Sequence, residues 1–275
     1  MKERDLVYAK LKVSKKYKHL CDDTLLRVAH WAGATHPPQK AEKAAKKKLH
    51  QIYGAFFERM NLKKIEKLLD RLPKHPDNEC LKQTAAEILN FHTSTAERLP
   101  ILAEFYRDLF SRTGTPKRVI DAACGLNPFA IQWMNLKPGS EYLGLDIDRR
   151  LIGLTNSFFS HFKRPNRAPN RAPYRAKCVD ILVTPPGQEN KADMIFFLKT
   201  LPTLEQQERG AGERLLKSLA AEYVVVSFPA ASLCGHEKGM ENHYRKFILD
   251  ILNRLSLSYF KMEYPVETFY VISPG

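Results

Sequence analysis

Val119-Ile120-Asp121-Ala122-Ala123-Cys124-Gly125-Leu126-Asn127-Pro128 decides how this chain is read. Two β-formers run into an acid, and small residues and a proline follow, the pattern of a buried strand ending in a tight turn. A second run, Tyr142-Leu143-Gly144-Leu145-Asp146, ends in another acid 25 residues after Asp121. Acids at the carboxyl ends of successive parallel strands suit a nucleotide-like ligand lying across those ends, the second acid reaching a ribose hydroxyl. Small residues in the turn let the backbone approach such a ligand closely. A dinucleotide turn would read Gly-x-Gly-x-x-Gly, and this one holds only Gly125. It offers little backbone to a pyrophosphate, so adenosine with a short uncharged or cationic tail fits better than NAD. S-adenosylmethionine (SAM) is such a ligand. Taken alone, the turn reads equally well as an ordinary strand-turn-helix of an α/β domain.

Working outward, strands are expected at Arg118–Asp121, Glu141–Asp146, Tyr174–Val179, Met194–Leu198, Tyr223–Phe228, Leu257–Glu263 and Thr268–Ile272. The first five are apolar runs separated by crossover segments, which implies a parallel, doubly wound sheet. The last two are close enough to pair antiparallel. The expected fold class is therefore α/β, a Rossmann-like seven-stranded sheet of the SAM-dependent methyltransferase kind, preceded by an N-terminal α-helical domain. In that helical part, Ala41, Ala45, Leu49, Ile52 and Phe56 form one apolar stripe. Asp22 or Asp23 is placed to cap the helix before it. Further helices are expected over Leu62 to Leu72, Leu81 to Asn90 and Ala96 to Phe110, with His92-Thr93-Ser94-Thr95 as an interruption. The Ser111–Lys117 linker divides residues 1–112, a basic helical docking domain, from 113–275, the methyltransferase domain. The repeat Asn166-Arg167-Ala168-Pro169, Asn170-Arg171-Ala172-Pro173 reads as a duplicated surface loop, or as an arginine-bearing loop that touches phosphate.

Charge is the informative part of the composition. The formal net charge is +14, and residues 1–100 hold 21 Lys and Arg against 12 Asp and Glu. A basic N-terminal third beside a milder remainder suggests a module that docks on a polyanion, joined to a catalytic one. Five scattered cysteines show no metal-ligand spacing and no disulfide framework, so no metal is expected and a reducing cytoplasm is the simplest setting. No apolar run approaches the ~20 residues of a membrane helix, and no apolar h-region follows the charged N-terminus.

Three stretches carry a resemblance: His92-Thr-Ser-Thr-Ala-Glu-Arg-Leu99, Asp121-Ala-Ala-Cys-Gly-Leu-Asn-Pro128, and Ser227-Phe-Pro-Ala-Ala-Ser-Leu-Cys-Gly-His-Glu-Lys-Gly-Met-Glu-Asn242. Leu49–Ala55, Lys199-Thr-Leu-Pro202 and Glu267-x-x-Tyr270-x-Ile272 support it. In this order they resemble the aminoglycoside-resistance 16S rRNA methyltransferases that act on N7 of guanine 1405. The resemblance implies SAM as cofactor, and as partner the 30S subunit at 16S rRNA helix 44, met by a monomer. It implies that Ala123 and Gly125 line the cofactor turn, that Asp146 holds the ribose hydroxyls beside Ile147, and that Asp180 accepts from the adenine amino group with Ile181 on the ring. Leu198 and Ser94 complete the pocket, and Arg98 pairs with the ligand's carboxylate as a fork. Lys15, Lys16, Lys18, Arg27, Lys47 and Lys48 are candidates for docking on rRNA, with Lys199, Lys238, Met240 and Asn242 nearer the target base.

Guanine N7 already carries an in-plane lone pair, so no general base is needed and positioning at ~3 Å carries most of the chemistry. A carboxylate near the cationic product would help, and Glu267 and Glu205 are the candidates. The target base must be exposed or flipped, at a cost of roughly a few kcal/mol. The Pro229–Met240 loop is expected to hold it. Family members carry Lys or Arg where this loop has Ala231, and a second basic residue where it has His236-Glu237. The departures leave another rRNA or tRNA position open as the target.

Overall fold

Seven strands succeed one another after residue 117: β1 (Arg118–Ala122), β2 (Glu141–Asp146), β3 (Tyr174–Cys178), β4 (Ala192–Leu198), β5 (Ala221–Pro229), β6 (Ser258–Glu263) and β7 (Glu267–Ser273). They form one sheet in the order β3-β2-β1-β4-β5-β7-β6. The first five are parallel, and β7 runs antiparallel to β5 and β6. The computed structural model describes residues 3–54, 60–162, 173–187, 191–230 and 238–274. The Asn-Arg-Ala-Pro repeat, apart from Pro173, and the 231–237 part of the expected target loop lie outside the described residues.

Both faces of the sheet are covered, and the strands alternate between two cores with the period of two that a pleat imposes. Met194, Phe196, Val225, Phe269 and Val271 face one core, and Ile195, Phe197, Val224, Val226, Tyr270 and Ile272 face the other. The helices α1 (Glu3–Val13), α2 (Asp22–Thr35) and α3 (Pro38–Leu49) precede α4 (Leu62–Asp70), α5 (Asn78–Leu89), the short α6 (Thr93–Arg98) and α7 (Leu102–Thr113). After β2 comes α8 (Arg149–Phe159), after β4 come α9 (Leu201–Gln207) and α10 (Ala211–Ser218), and after β5 comes α11 (Lys238–Arg254). The first core is sealed by α4, α5, α7 and α8, and Phe105 of α7 stacks on Phe269 with ring centroids 4.0 Å apart. The second is sealed by α9, α10 and α11 through Leu201, Leu204, Leu215, Leu216, Ile248 and Ile251.

A third core belongs to α1–α3 and the π-turn His50–Gly54 that follows them, from Val7 and Leu11 to Ile52 and Tyr53. The cores therefore divide between Gly54 and Met60, whereas the change from helical to strand patterns places a linker at Ser111–Lys117. In α4, α5 and α7, Ile65, Leu81, Ala85, Ile88, Phe105 and Leu109 bury their apolar stripe against the sheet. The α1–α3 unit rests on the carboxyl end of β2 and on α8. Cys21 N–H donates to Ile147 O (2.8 Å), Arg149 N–H donates to His19 O (2.9 Å) and Tyr53 Oη–H donates to Asp148 Oδ2 (2.7 Å). Neither Asp22 nor Asp23 caps α2. Cys21 is the capping residue and makes no side-chain cap bond, its thiol lying 3.0 Å from Thr24 Oγ1 instead.

Candidate active site

The chain leaves β1 toward β2 and β3, then crosses back to β4 and β5. Crossovers that diverge from neighbouring strands open a crevice at their carboxyl ends. A cavity of about 220 Å3 lies there between β1 and β4. The residues that leave these two strands, Ala123 (φ +52°) and Lys199 (φ +55°), are both non-glycine residues in the left-handed region. Such conformations cost on the order of 1–3 kcal/mol each and gather at functional sites. The β1 turn is pinned to β2 by Cys124 N–H donating to Leu145 O (2.9 Å). Gly144 makes room for it, since a Cβ there would stand 3.1 Å from Cys124 Sγ and 3.4 Å from Pro128 Cγ.

Asp146 ends β2 only 7% exposed. Its Oδ2 accepts from Gly125 N–H (3.0 Å) and its Oδ1 from Asp148 N–H (3.1 Å), so each oxygen keeps a second lone pair. Burial pushes its carboxyl up to about 6, against the pull of those backbone donors. Asp121 sits deeper, accepting from Asn127 Nδ2 (2.8 Å) and from the Tyr142 hydroxyl, and burial pushes it up to about 7.

Arg98 lines the cavity with its guanidinium already engaged. Its side chain is 1% exposed, and its fork closes on Glu267: Nε donates to Oε2 (2.9 Å) and Nη2 to Oε1 (2.8 Å), while Nη1 donates to Asn127 Oδ1 (3.1 Å). The fork expected to take a ligand carboxylate is thus occupied by the protein's own, 169 residues away. Glu267 is correspondingly no free acceptor. Fully buried at the start of β7, it also accepts from Ser227 Oγ and lies 3.7 Å from Lys199 Nζ. Glu205 does not line the cavity. It accepts from Gly210 N–H (2.5 Å) and Gly212 N–H (3.1 Å) and so holds the start of α10.

On the opposite side, Asp180 Oδ2 accepts from Thr24 Oγ1 (2.9 Å) and from Arg27 Nε (2.9 Å), and its Oδ1 accepts from Leu182 N–H (3.0 Å). Both Thr24 and Arg27 come from α2. All nine residues expected at the cofactor, Ser94, Arg98, Ala123, Gly125, Asp146, Ile147, Asp180, Ile181 and Leu198, line this one cavity. So do Met60, Thr203 and Gln207, which no sequence motif marked, and Ile52 and His92, which lie in quoted stretches but had no role assigned.

A family model described as ribosomal RNA methyltransferase (FmrO) matches residues 13–268. The chain belongs to the FmrO family of ribosomal RNA methyltransferases. It is 33% identical over 272 residues to a 16S rRNA (guanine(1405)-N(7))-methyltransferase of Micromonospora echinospora, covering 98% of this chain and 96% of that one. A Proteus mirabilis protein of the same description is 32% identical, covering 97% and 96%. The solved 16S rRNA methyltransferase RmtF, in complex with S-adenosyl-L-homocysteine, superposes with a TM-score of 0.78 at 33% identity, covering 99% of this chain and 98% of that one.

The basic candidates of this FmrO-family chain separate into two groups. Lys15, Lys16, Lys18 and Lys47 are exposed on the α1–α3 unit, Lys16 lying 3.1 Å from His50 Nδ1. Arg27 and Lys48 are half-buried and turn inward. Arg27 lines the cavity, and Lys48 donates to Gln207 O (2.8 Å) with its ammonium 5.2 Å from the Trp31 ring centre. Lys199 likewise lines the cavity, its Nζ 2.7 Å from Glu97. Asn242 is exposed on α11, and the side chains of Lys238 and Met240 lie outside the described residues. Among the described residues no helix is long and apolar enough to cross a membrane, and no cluster of three or more His, Cys, Asp and Glu could hold a metal.

Proposed function

We infer that this chain transfers the methyl group of SAM to N7 of guanine 1405 of 16S rRNA and thereby confers resistance to aminoglycosides of the gentamicin and kanamycin type. The observation that carries the reading is an FmrO-family chain whose switch-point cavity gathers every residue expected at an adenosine-type cofactor. The donor set fits SAM. Asp146 keeps two lone pairs for the ribose hydroxyls, Ile147 and Ile181 offer an apolar slot to adenine, and Asp180 Oδ1 keeps one lone pair for its amino group. Ala123, Gly125, Leu198 and Ser94 border the rest, and Arg98, tied to Glu267, forms a rigid wall at the methionine end. When bound, SAM supplies an electrophilic methyl on a sulfonium.

The chain's own task is then positioning. Guanine N7 has its lone pair free, and neither Glu267 nor Glu205 is needed as a base in this reading, since each already accepts from protein donors. The α1–α3 unit docks through Lys15, Lys16, Lys18 and Lys47. The substrate in this proposal is the assembled 30S subunit at helix 44, met by a monomer in the cytoplasm. A different rRNA or tRNA position is the second reading, favoured only by Ala231 and His236-Glu237 in the target loop. Methylation of 30S subunits with labelled SAM, mapped to the nucleotide, separates the two.

Reversing Lys15, Lys16, Lys18 and Lys47 to glutamate is expected to weaken 30S binding by at least tenfold at 0.1 M salt. Loss of each phosphate contact removes about one unit from the salt slope. Affinity for SAM should not change, and filter binding beside calorimetry checks both. A pH effect follows from Asp146. Its folded carboxyl, at about 6, stands above the ordinary value of 3.8. The folded chain therefore binds a proton that the unfolded chain has lost. This stabilising contribution is complete below pH ~4 and disappears as pH rises through 6. Ribose hydroxyls prefer the ionised acceptor, so SAM affinity should fall as pH drops below 6, approaching tenfold per unit. Calorimetry between pH 5 and 8 would show it, and a flat profile would contradict the assignment of Asp146.

A further inference from the structure

We propose that Arg27 is a positioning residue that links rRNA docking on the α1–α3 unit to the cofactor cavity by holding Asp180 in place. The proposal rests on reading the cavity as the SAM site. Arg27 lies one helical turn after Thr24 on α2, so the two side chains leave the same face of the helix. Both reach one oxygen of Asp180: Thr24 Oγ1 at 2.9 Å, Arg27 Nε at 2.9 Å and Nη2 at 2.8 Å. Arg27 Nη2 also donates to Gln207 Oε1 (2.9 Å) at the end of α9, and Lys48 Nζ of α3 donates to Gln207 O (2.8 Å). Two helices of the docking unit thus grip both rims of the cavity, from β3's exit to α9.

The consequence for Asp180 is orientational. Hydrogen bonds from Thr24 Oγ1 and Arg27 Nε fill the two lone pairs of Oδ2, with Arg27 Nη2 beside it as an ion-pair contact, and Leu182 N–H takes one site on Oδ1, so the one remaining lone pair is the only acceptor Asp180 can offer to a ligand in the cavity. Free rotation of the carboxylate would spread that acceptor over several directions. Arg27 is half-covered, with a side chain 19% exposed, and it lines the cavity although its helix belongs to a separate core. Any tilt of α2 as Lys15, Lys16 and Lys18 engage phosphate moves the group that fixes the cofactor's acceptor. Linkage then works both ways: cofactor in the cavity tightens docking by the same factor as docking tightens the cofactor.

The test uses the full chain, SAM, S-adenosyl-L-homocysteine and 30S subunits. For Arg27→Met, KM for SAM should rise at least tenfold while kcat changes less than threefold. The ratio of 30S affinities with and without S-adenosyl-L-homocysteine should fall to one. Arg27→Lys keeps a cation beside Asp180 and therefore the fold, but a single ammonium lacks the planar fork that serves Asp180 and Gln207 together. It should recover part of the KM and only part of the linkage. A merely structural arginine would lower the melting temperature and kcat and leave KM and the linkage as in the parent, and that result would overturn the proposal. Parent protein that binds no SAM in calorimetry would remove the cofactor reading and this inference with it. Parent that binds SAM, beside an Arg27→Met variant with unchanged KM, would remove the inference alone.

Discussion

Arg98→Ala should lower folding stability by about 3–5 kcal/mol, the cost of leaving a buried ion-pair partner uncompensated. Glu267 is fully buried, and Arg98 supplies two of its donors at 2.8 and 2.9 Å. Alanine would leave it with Ser227 Oγ and a Lys199 ammonium at 3.7 Å that is already engaged by Glu97 at 2.7 Å. A charge without its fork in that interior either takes up a proton or draws in water, and each route opens the junction of α6 with β7. Replacing both members, as Arg98→Met with Glu267→Leu, removes the desolvation cost on both sides and should return more than half of the loss. Urea denaturation measures this directly as a lower midpoint for the single variant at unchanged slope, and a midpoint near the parent's for the double. A single variant as stable as the parent would mean that the pair is not buried together. Loss of methyl transfer in Arg98→Ala would therefore report the fold first, and would not by itself identify a ligand contact.

Asp146→Ala should instead weaken SAM binding by at least 100-fold. Two hydrogen bonds from ribose hydroxyls to an ionised acceptor contribute about 1.5–3 kcal/mol each, and two such bonds are enough for that factor. The fold should tolerate the change better than it tolerates Arg98→Ala. The variant orphans Gly125 N–H and Asp148 N–H, but it also removes a carboxyl that burial has pushed up to about 6. Asparagine is no rescue. Both oxygens of Asp146 accept from backbone N–H groups, so an amide would set its own NH2 against one of them. Asp146→Asn should thus bind SAM nearly as poorly as Asp146→Ala, while Asp146→Glu, whose longer side chain cannot keep both backbone acceptors in register, falls between. Calorimetry at pH 7.5 distinguishes these, and parent-like affinity in Asp146→Ala would withdraw this acid from the cofactor site.

The inner strands were legible in the sequence because each is an apolar run bounded by polar or small residues; β3 and β6, at the sheet's edges, carry Arg175, Lys177 and Lys261 among their apolar residues, and the antiparallel end followed from the short gap between Glu263 and Glu267. The cofactor turn was legible for a similar reason: its acids and small residues are local features of β1 and β2. Partner choice was not. That Arg98 pairs with Glu267 depends on where β7 begins, far along the chain, and no spacing encodes it. Arg27 and Lys48 looked like docking cations because charge is visible in sequence, whereas the face a helix presents to another unit is not. The same limit applies to which helices pack together. Helices α4, α5 and α7 bury their apolar stripes on the sheet whereas α1–α3 bury theirs on one another, and a stripe does not name the surface that covers it.

The most direct test of the proposed function is nucleotide-resolution mass spectrometry of 16S rRNA from 30S subunits incubated with the chain and SAM. The result expected is one added methyl at N7 of guanine 1405, present with the parent protein and absent with Asp146→Ala. An unmodified guanine 1405, or a methyl mapped to another nucleotide, would contradict it.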